Sequence, residues 1–407
     1  MLAATRQLSA PVRQYLLITG NYWAFTLTDG ALRMLVVLYF HQLGYSPLSI
    51  AMLFLFYEIF GVVTNLVGGW LGARIGLNRT MNIGLGLQLI ALAMLLVPTP
   101  ALTVIWVMAA QALSGIAKDL NKMSAKSAIK TLVPADAQGQ LYKWVALLTG
   151  SKNALKGVGF FLGSLLLYTV GFQGAIGIML GALALVWLFS LWRLGADLGK
   201  AKFKPKFRDI WSKSRAINQL SAARLFLFAA RDVWFVVALP VYFATQLNWP
   251  HTWTGAFMAC WVIGYGAVQS LAPRFTHKTG EPRRAAVWWA WLLALTPLLI
   301  IAGLVYDLEP AFIVVSGLLL FGAAFAVNSA LHSYLIVSYA RADGVSLDVG
   351  FYYMANAMGR LTGTVASGLV YQWYGLAACL WVSAGCIVIA ALLAIGLPRT
   401  DVATEAS

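Results

Sequence analysis

The sequence predicts an all-α polytopic membrane protein with twelve transmembrane helices in two six-helix halves. Three observations carry that expectation. The 407 residues are 60% hydrophobic and only 11% charged, less than half the roughly 25% charge of soluble domains. Apolar stretches long enough to cross a bilayer, about 20 residues, recur twelve times. The loops between them alternate: HQLGYSP, PTP, VGFQG, TQLNWPHT, YDLEP and WYG hold no Lys or Arg, whereas the others are basic. By the positive-inside rule the basic loops and both termini, with Arg6, Arg13 and Arg399, are cytoplasmic. The expected location is the cell inner (cytoplasmic) membrane, multi-pass, with the lipid bilayer as surroundings.

Span one (15–40) carries Asp29 and Arg33 a turn apart, a pair able to satisfy itself. Span two (48–73) has one acid, Glu58; Arg74 and Arg79 lie in the loop before span three (80–97), which ends at PTP. Span four (101–125) runs inward into Lys118, Lys122, Lys126 and Lys130. Four-residue spacing on a helix of 3.6 residues per turn makes them one slowly winding stripe. Asp119 can offset one charge, while Lys126 and Lys130 read as the helix's cytoplasmic end, where long side chains snorkel. Span five (140–168) returns with Lys143 at its entrance; Lys152 and Lys156 share a face halfway along, and Asn153 lies between them. Span six (172–193) is apolar up to Arg193.

The basic stretch from Gly195 to Arg215 is the longest polar interval. It divides a half at 1–194 from a half at 217–407, with a cytoplasmic linker at 195–216. Span seven (217–245) holds Arg224, Arg231 and Asp232. The last two point about 100° apart on a helix and are not expected to neutralise each other. Pro240 interrupts this span and Pro297 span nine (286–305); Arg274, Lys278, Arg283 and Arg284 separate spans eight (252–272) and nine. Span ten (310–338) holds His332, read as a packed histidine, and span eleven (346–372) holds Arg360 with Asn356 a turn before it. Span twelve (375–397) is apolar. Spans one and seven look like one repeated element: Asp29 precedes Tyr39-Phe40 and Gln42-Leu43, and Asp232 precedes Tyr242-Phe243 and Gln246-Leu247.

An ammonium at a bilayer centre costs roughly 2.5–3.5 kcal/mol on the lenient insertion scale. The mid-span cations Arg33, Lys118, Lys122, Lys152, Lys156, Arg231 and Arg360 outnumber the acids Asp29, Glu58, Asp119 and Asp232. Surplus positive charge with forked guanidinium donors suits a multivalent oxyanion such as phosphate or its analogue. Those cations, with Asn153, form the expected substrate-binding set, and the four acids are candidates for proton coupling. The net charge of +15 lies largely in short loops, where it sets topology and calls for no nucleic acid. Cys260, Cys379 and Cys386 lie in apolar runs, so neither a disulfide framework nor a metal site is expected. With no nucleophile–base set and no phosphate loop, the chain reads as a monomeric transporter, not an enzyme, and without a cofactor. A drug efflux pump fits less well, because sites for cationic drugs favour acids and aromatics.

Five stretches carry a family resemblance: Asn21–Val37, Leu77–Gly86, Gln111–Lys130, Gly150–Gly163 and Arg224–Tyr242. On them the chain resembles the ArsJ-type organoarsenical efflux permeases of the major facilitator superfamily, over nearly its whole length. The resemblance implies export of 1-arseno-3-phosphoglycerate by alternating access and arsenate resistance. It also implies a functional partner, the glyceraldehyde-3-phosphate dehydrogenase that makes this ester from arsenate. Other small organophosphates are the alternative cargo. Two positions depart from general superfamily patterns. Ala73 stands where the loop after span two normally carries an acid, and Gln111, Ser114 and Gly115 replace the arginine-bearing motif of many proton-coupled members.

Overall fold

The computed structural model describes residues 10–45, 53–134, 137–195, 198–203, 205–212, 214–276 and 281–398. The start expected for span two, and Arg6, Lys278 and Arg399 of the basic segments, lie outside them. The helices are α1 (Ala10–Gln42), α2 (Leu55–Ile75), α3 (Leu77–Met94), α4 (Val104–Leu132), α5 (Gln138–Arg193), α6 (Arg215–Phe235), α7 (Ala238–Thr245), α8 (His251–Thr276), α9 (Pro282–Val305), α10 (Pro310–Tyr339) and α11 (Val345–Ile395). The fold is all-α and polytopic, of twelve spans, with α5 and α11 supplying two each and α6 with α7 one. Lipid-side character shows on the surface: Ile105, Tyr168, Leu185 and Trp288 are each at least 70% exposed. Asn65, Gln88, Asp232 and Asn328 are fully buried. That inversion of a soluble protein's pattern is what a lipid solvent selects.

The two double spans reverse direction at one residue. Gly171 has φ 69° and Gly375 φ 74°, a left-handed backbone that glycine adopts without steric penalty. Span seven breaks between Phe235 and Ala238, one turn before Pro240, which cannot donate to the Val236 carbonyl. Pro297 leaves α9 continuous because Thr296 Oγ1 donates to the Leu293 carbonyl, 2.7 Å away, that the proline orphans.

The described chain forms two compact units. The first comprises Met1–Leu141, Ser151–Ser212 and Ala340–Met354; the second comprises Tyr142–Gly150, Lys213–Tyr339 and Ala355–Ser407. In the first, α4 packs against α1, α2 and α3. Its linker segment bonds to the end of α2: Ala201 N–H donates to the Ala73 carbonyl at 2.8 Å, and Trp70 Nε1 to the Pro205 carbonyl at 3.1 Å. Ala73 is fully buried, and its backbone carbonyl takes the linker's bond. In the second unit α10 packs against α8 and α9. Trp234, Phe321, Phe325 and Trp261 form the centre of its core.

Candidate functional site

In the first unit α1 and α5 cross at glycine. A Cβ on Gly159 would stand 2.7 Å from the Leu27 carbonyl oxygen, and one on Gly30 at 2.7 Å from that of Lys156. Further along, Trp23 Nε1 donates to Ser151 Oγ at 2.8 Å. This contact sets Lys152 and Lys156 along the helix that carries Asp29. Lys152 Nζ donates to Asn153 Oδ1 at 3.3 Å, so Asn153 is here an acceptor.

Asp29 and Arg33 do not satisfy each other, contrary to expectation. Tyr57 Oη of α2 donates to Asp29, 2.8 Å from Oδ1 and 3.1 Å from Oδ2, and Arg33 Nη2 reaches Glu58 Oε1 at 3.4 Å. The arginine also lies over the Phe54 and Tyr57 rings, about 5 Å from each centroid. Partners from α2 win because the packed helix offers a hydroxyl and a carboxylate to groups that would otherwise be desolvated.

The lysine stripe of α4 meets aromatic faces. Lys118 Nζ lies 3.7 Å from the Tyr57 ring centroid, within cation–π range. Lys122 Nζ donates to Asp119 Oδ1 at 2.6 Å and stands 4.7 Å from the Tyr353 ring. Lys126 corrects the surface reading: it is 3% exposed, and its Nζ donates to Tyr353 Oη. Asp119 is 1% exposed, and its Oδ2 has no hydrogen-bond partner among the described residues. An orphaned buried acceptor costs about 1–3 kcal/mol.

The second unit gathers Arg224, Arg231, Asp232 and Arg360. Arg231 Nε lies 2.5 Å from Asp232 Oδ1, overturning the expectation that these neighbours stay apart. Three methylenes let the guanidinium fold back across the 100° that separates the two Cβ directions. Arg360 Nε reaches the carboxylate's other oxygen at 3.4 Å. Asn356 serves Arg224, not Arg360: Arg224 Nε donates to Asn356 Oδ1 at 2.8 Å, and its Nη1 donates to the Ser329 carbonyl and hydroxyl. Phe228 lies between two guanidiniums, 4.0 Å from Arg224 and 4.8 Å from Arg231. His332 is buried at 1% exposure, as a packed histidine should be.

Thus Asp29, Arg33, Glu58, Lys118, Asp119 and Lys122 come together in one unit, and Arg231, Asp232 and Arg360 in the other. Arg33, Lys122, Arg231 and Arg360 have acid partners, while the buried Lys126 and Arg224 add to the excess of cations over acids. Tyr57, Tyr353, Lys126 and Arg224 belong to these clusters and were not in the expected binding set. Tyr57 adjoins Glu58, a usable signal; Tyr353 lies 227 positions from Lys126, with nothing in the chain to link them. Two apolar grooves, of about 360 and 260 Å³, are lined around Leu16 and Phe189 and around Trp261 and Leu319, and neither includes a cation of the clusters.

The sequence profile described as Major Facilitator Superfamily matches residues 18–236 and 220–407. No characterised protein matches the chain significantly by sequence. Among solved structures it is similar to the human organic anion transporter MFSD10 (TETRAN), at 17% identity and TM-score 0.76, covering 95% of this chain and 100% of that one. It is similar to a bacterial homologue of the iron transporter ferroportin in an outward-facing state, at 14% identity and TM-score 0.74, over 94% and 98% of the two chains. The transporter FucP in its outward conformation gives 10% identity and TM-score 0.76, over 96% and 100%. At these identities the likeness is one of fold.

Proposed function

Because the chain belongs to the Major Facilitator Superfamily and is a membrane transporter of small substrates, we propose that it exports an organic oxyanion bearing phosphate or arsenate groups. The preferred cargo is 1-arseno-3-phosphoglycerate, moved by alternating access from the cytoplasm, with arsenate resistance as the result. The observation that carries this reading is the α4 face on which Lys118, Lys122 and Lys126 recur each turn beside a single acid, Asp119. Three ammoniums at that spacing repel one another and match a guest with more than one negative charge. The glyceraldehyde-3-phosphate dehydrogenase that makes the ester would be the supplier of cargo, and proton coupling would run through the four intramembrane acids.

Uptake of labelled arsenophosphoglycerate into inside-out vesicles tests this, against 3-phosphoglycerate and inorganic arsenate, with and without an imposed proton gradient. Preference for the ester supports the reading. Equal transport of 3-phosphoglycerate would favour a general organophosphate exporter, since tetrahedral phosphate and arsenate offer lysines the same oxygens. Accumulation of hydrophobic cations with no anion transport would overturn it.

A further inference from the structure

We propose that Asp119 is a built-in competitor for the cargo, a carboxylate that holds Lys122 until a multivalent oxyanion displaces it. The proposal rests on the anion reading above and adds a residue that sets which anions are accepted. Among the four buried aspartates of the helices, Asp119 is bound differently from the others, and Asp348 takes Arg341 on both oxygens. Asp29 takes the Tyr57 hydroxyl on both oxygens, and Asp232 takes Arg231 on one and Arg360 on the other. Asp119 gives Oδ1 to Lys122 and leaves Oδ2 without a hydrogen-bond partner among the described residues, at 1% exposure. The neighbour beyond that oxygen is Gly61, where a Cβ would stand 3.1 Å from Oδ2. A purely structural ion pair would be expected to satisfy both oxygens, since an orphaned one is costly to bury.

The surroundings of Lys122 suit an exchange of partners. Its ammonium also faces the Tyr353 ring, so it keeps a cation–π contact while it leaves one anion for another. Lys118 and Lys126 stand one turn to either side on α4. A single carboxylate neutralises one ammonium of this row. A phosphate or arsenate dianion presents three oxygens and a second charge, enough to engage Lys122 together with a neighbour. Asp119 therefore excludes monovalent carboxylates, which gain nothing by replacing it, and yields to dianions.

The test is calorimetric titration of the full chain in lipid nanodiscs, with 3-phosphoglycerate and inorganic phosphate as probes and lactate as the monovalent control. Asp119→Asn should bind both phosphate probes about tenfold more tightly than the unsubstituted chain, as expected when a competing charge pair is removed, and should begin to bind lactate. Asp119→Ser should do the same and covers a failure of the amide variant to assemble, while Asp119→Glu keeps the charge and should restore the original affinity. In a double-mutant cycle, Asp119→Asn should add nothing once Lys122→Gln is present. Unchanged or weaker binding in both neutral variants, with Lys122→Gln still impairing binding, would overturn the competitor role and leave the anion reading standing. Absence of phosphate binding by the unsubstituted and neutral-variant chains alike would remove both.

Discussion

Tyr57 ties an acid and a base together: its hydroxyl holds both oxygens of Asp29 and its ring carries Lys118. Tyr57→Phe should keep the ring contact and strand a carboxylate that is 6% exposed. A stability loss of about 1–3 kcal/mol is expected, read as a lower midpoint of thermal unfolding in detergent. Arg231→Lys should impair transport at near-normal protein levels, because a terminal ammonium cannot meet Asp232 Oδ1 as Nε does while a planar cation lies over Phe228; vesicle uptake per unit of inserted protein checks it. On the proposed organoarsenical reading, Lys152→Ala and Lys156→Ala should each abolish export without affecting membrane insertion, and cells carrying either variant should lose arsenate tolerance. At this scale the chain shows which residues are charged and at what depth, but not what they touch. Asp29 and Arg33 are suitably spaced for each other on α1, yet each finds its partner on α2. Lys126 looked like a helix end because neither its burial nor Tyr353 can be inferred from local spacing.

The helices themselves were far more legible. Apolar length and loop charge locate all twelve spans, and the short charge-free connections VGFQG and WYG turn out to be reversals at Gly171 and Gly375. Local chemistry explains the breaks as well: Pro240 interrupts span seven one turn upstream, while Thr296 masks the effect of Pro297. The glycine crossings were less visible, since glycine is frequent throughout the sequence. Gly159 lies three residues after Lys156 and abuts α1; Gly363 lies three after Arg360 and abuts α6, 2.8 Å from the Ala229 carbonyl to a Cβ built there. Gly159→Val should force α1 and α5 apart at a cost of about 1–3 kcal/mol from overpacking. Fluorescence-detected size exclusion of a tagged variant should show less monodisperse protein.

Over the whole molecule, the parallel between Lys156 with Gly159 and Arg360 with Gly363 adds to the one between Asp29 and Asp232, so each sequence half repeats an acid, a cation and a small-residue crossing. If the cargo is the proposed multivalent anion, its export works with the membrane potential: each negative charge leaving a cell gains about 2.3 kcal/mol per 100 mV. A lumen-positive potential set with potassium and valinomycin should therefore accelerate uptake into inside-out vesicles. A flat response would mean that protons travelling with the anion cancel its charge. Gly171 and Gly375 carry a separate consequence for biogenesis. A one-residue bend leaves no slack between the two arms of α5, or between those of α11, so neither arm can wait outside while the other enters the membrane. Each pair must leave the translocon as a ready-made hairpin, and a ribosome stalled between the arms would hold a segment with no stable orientation of its own.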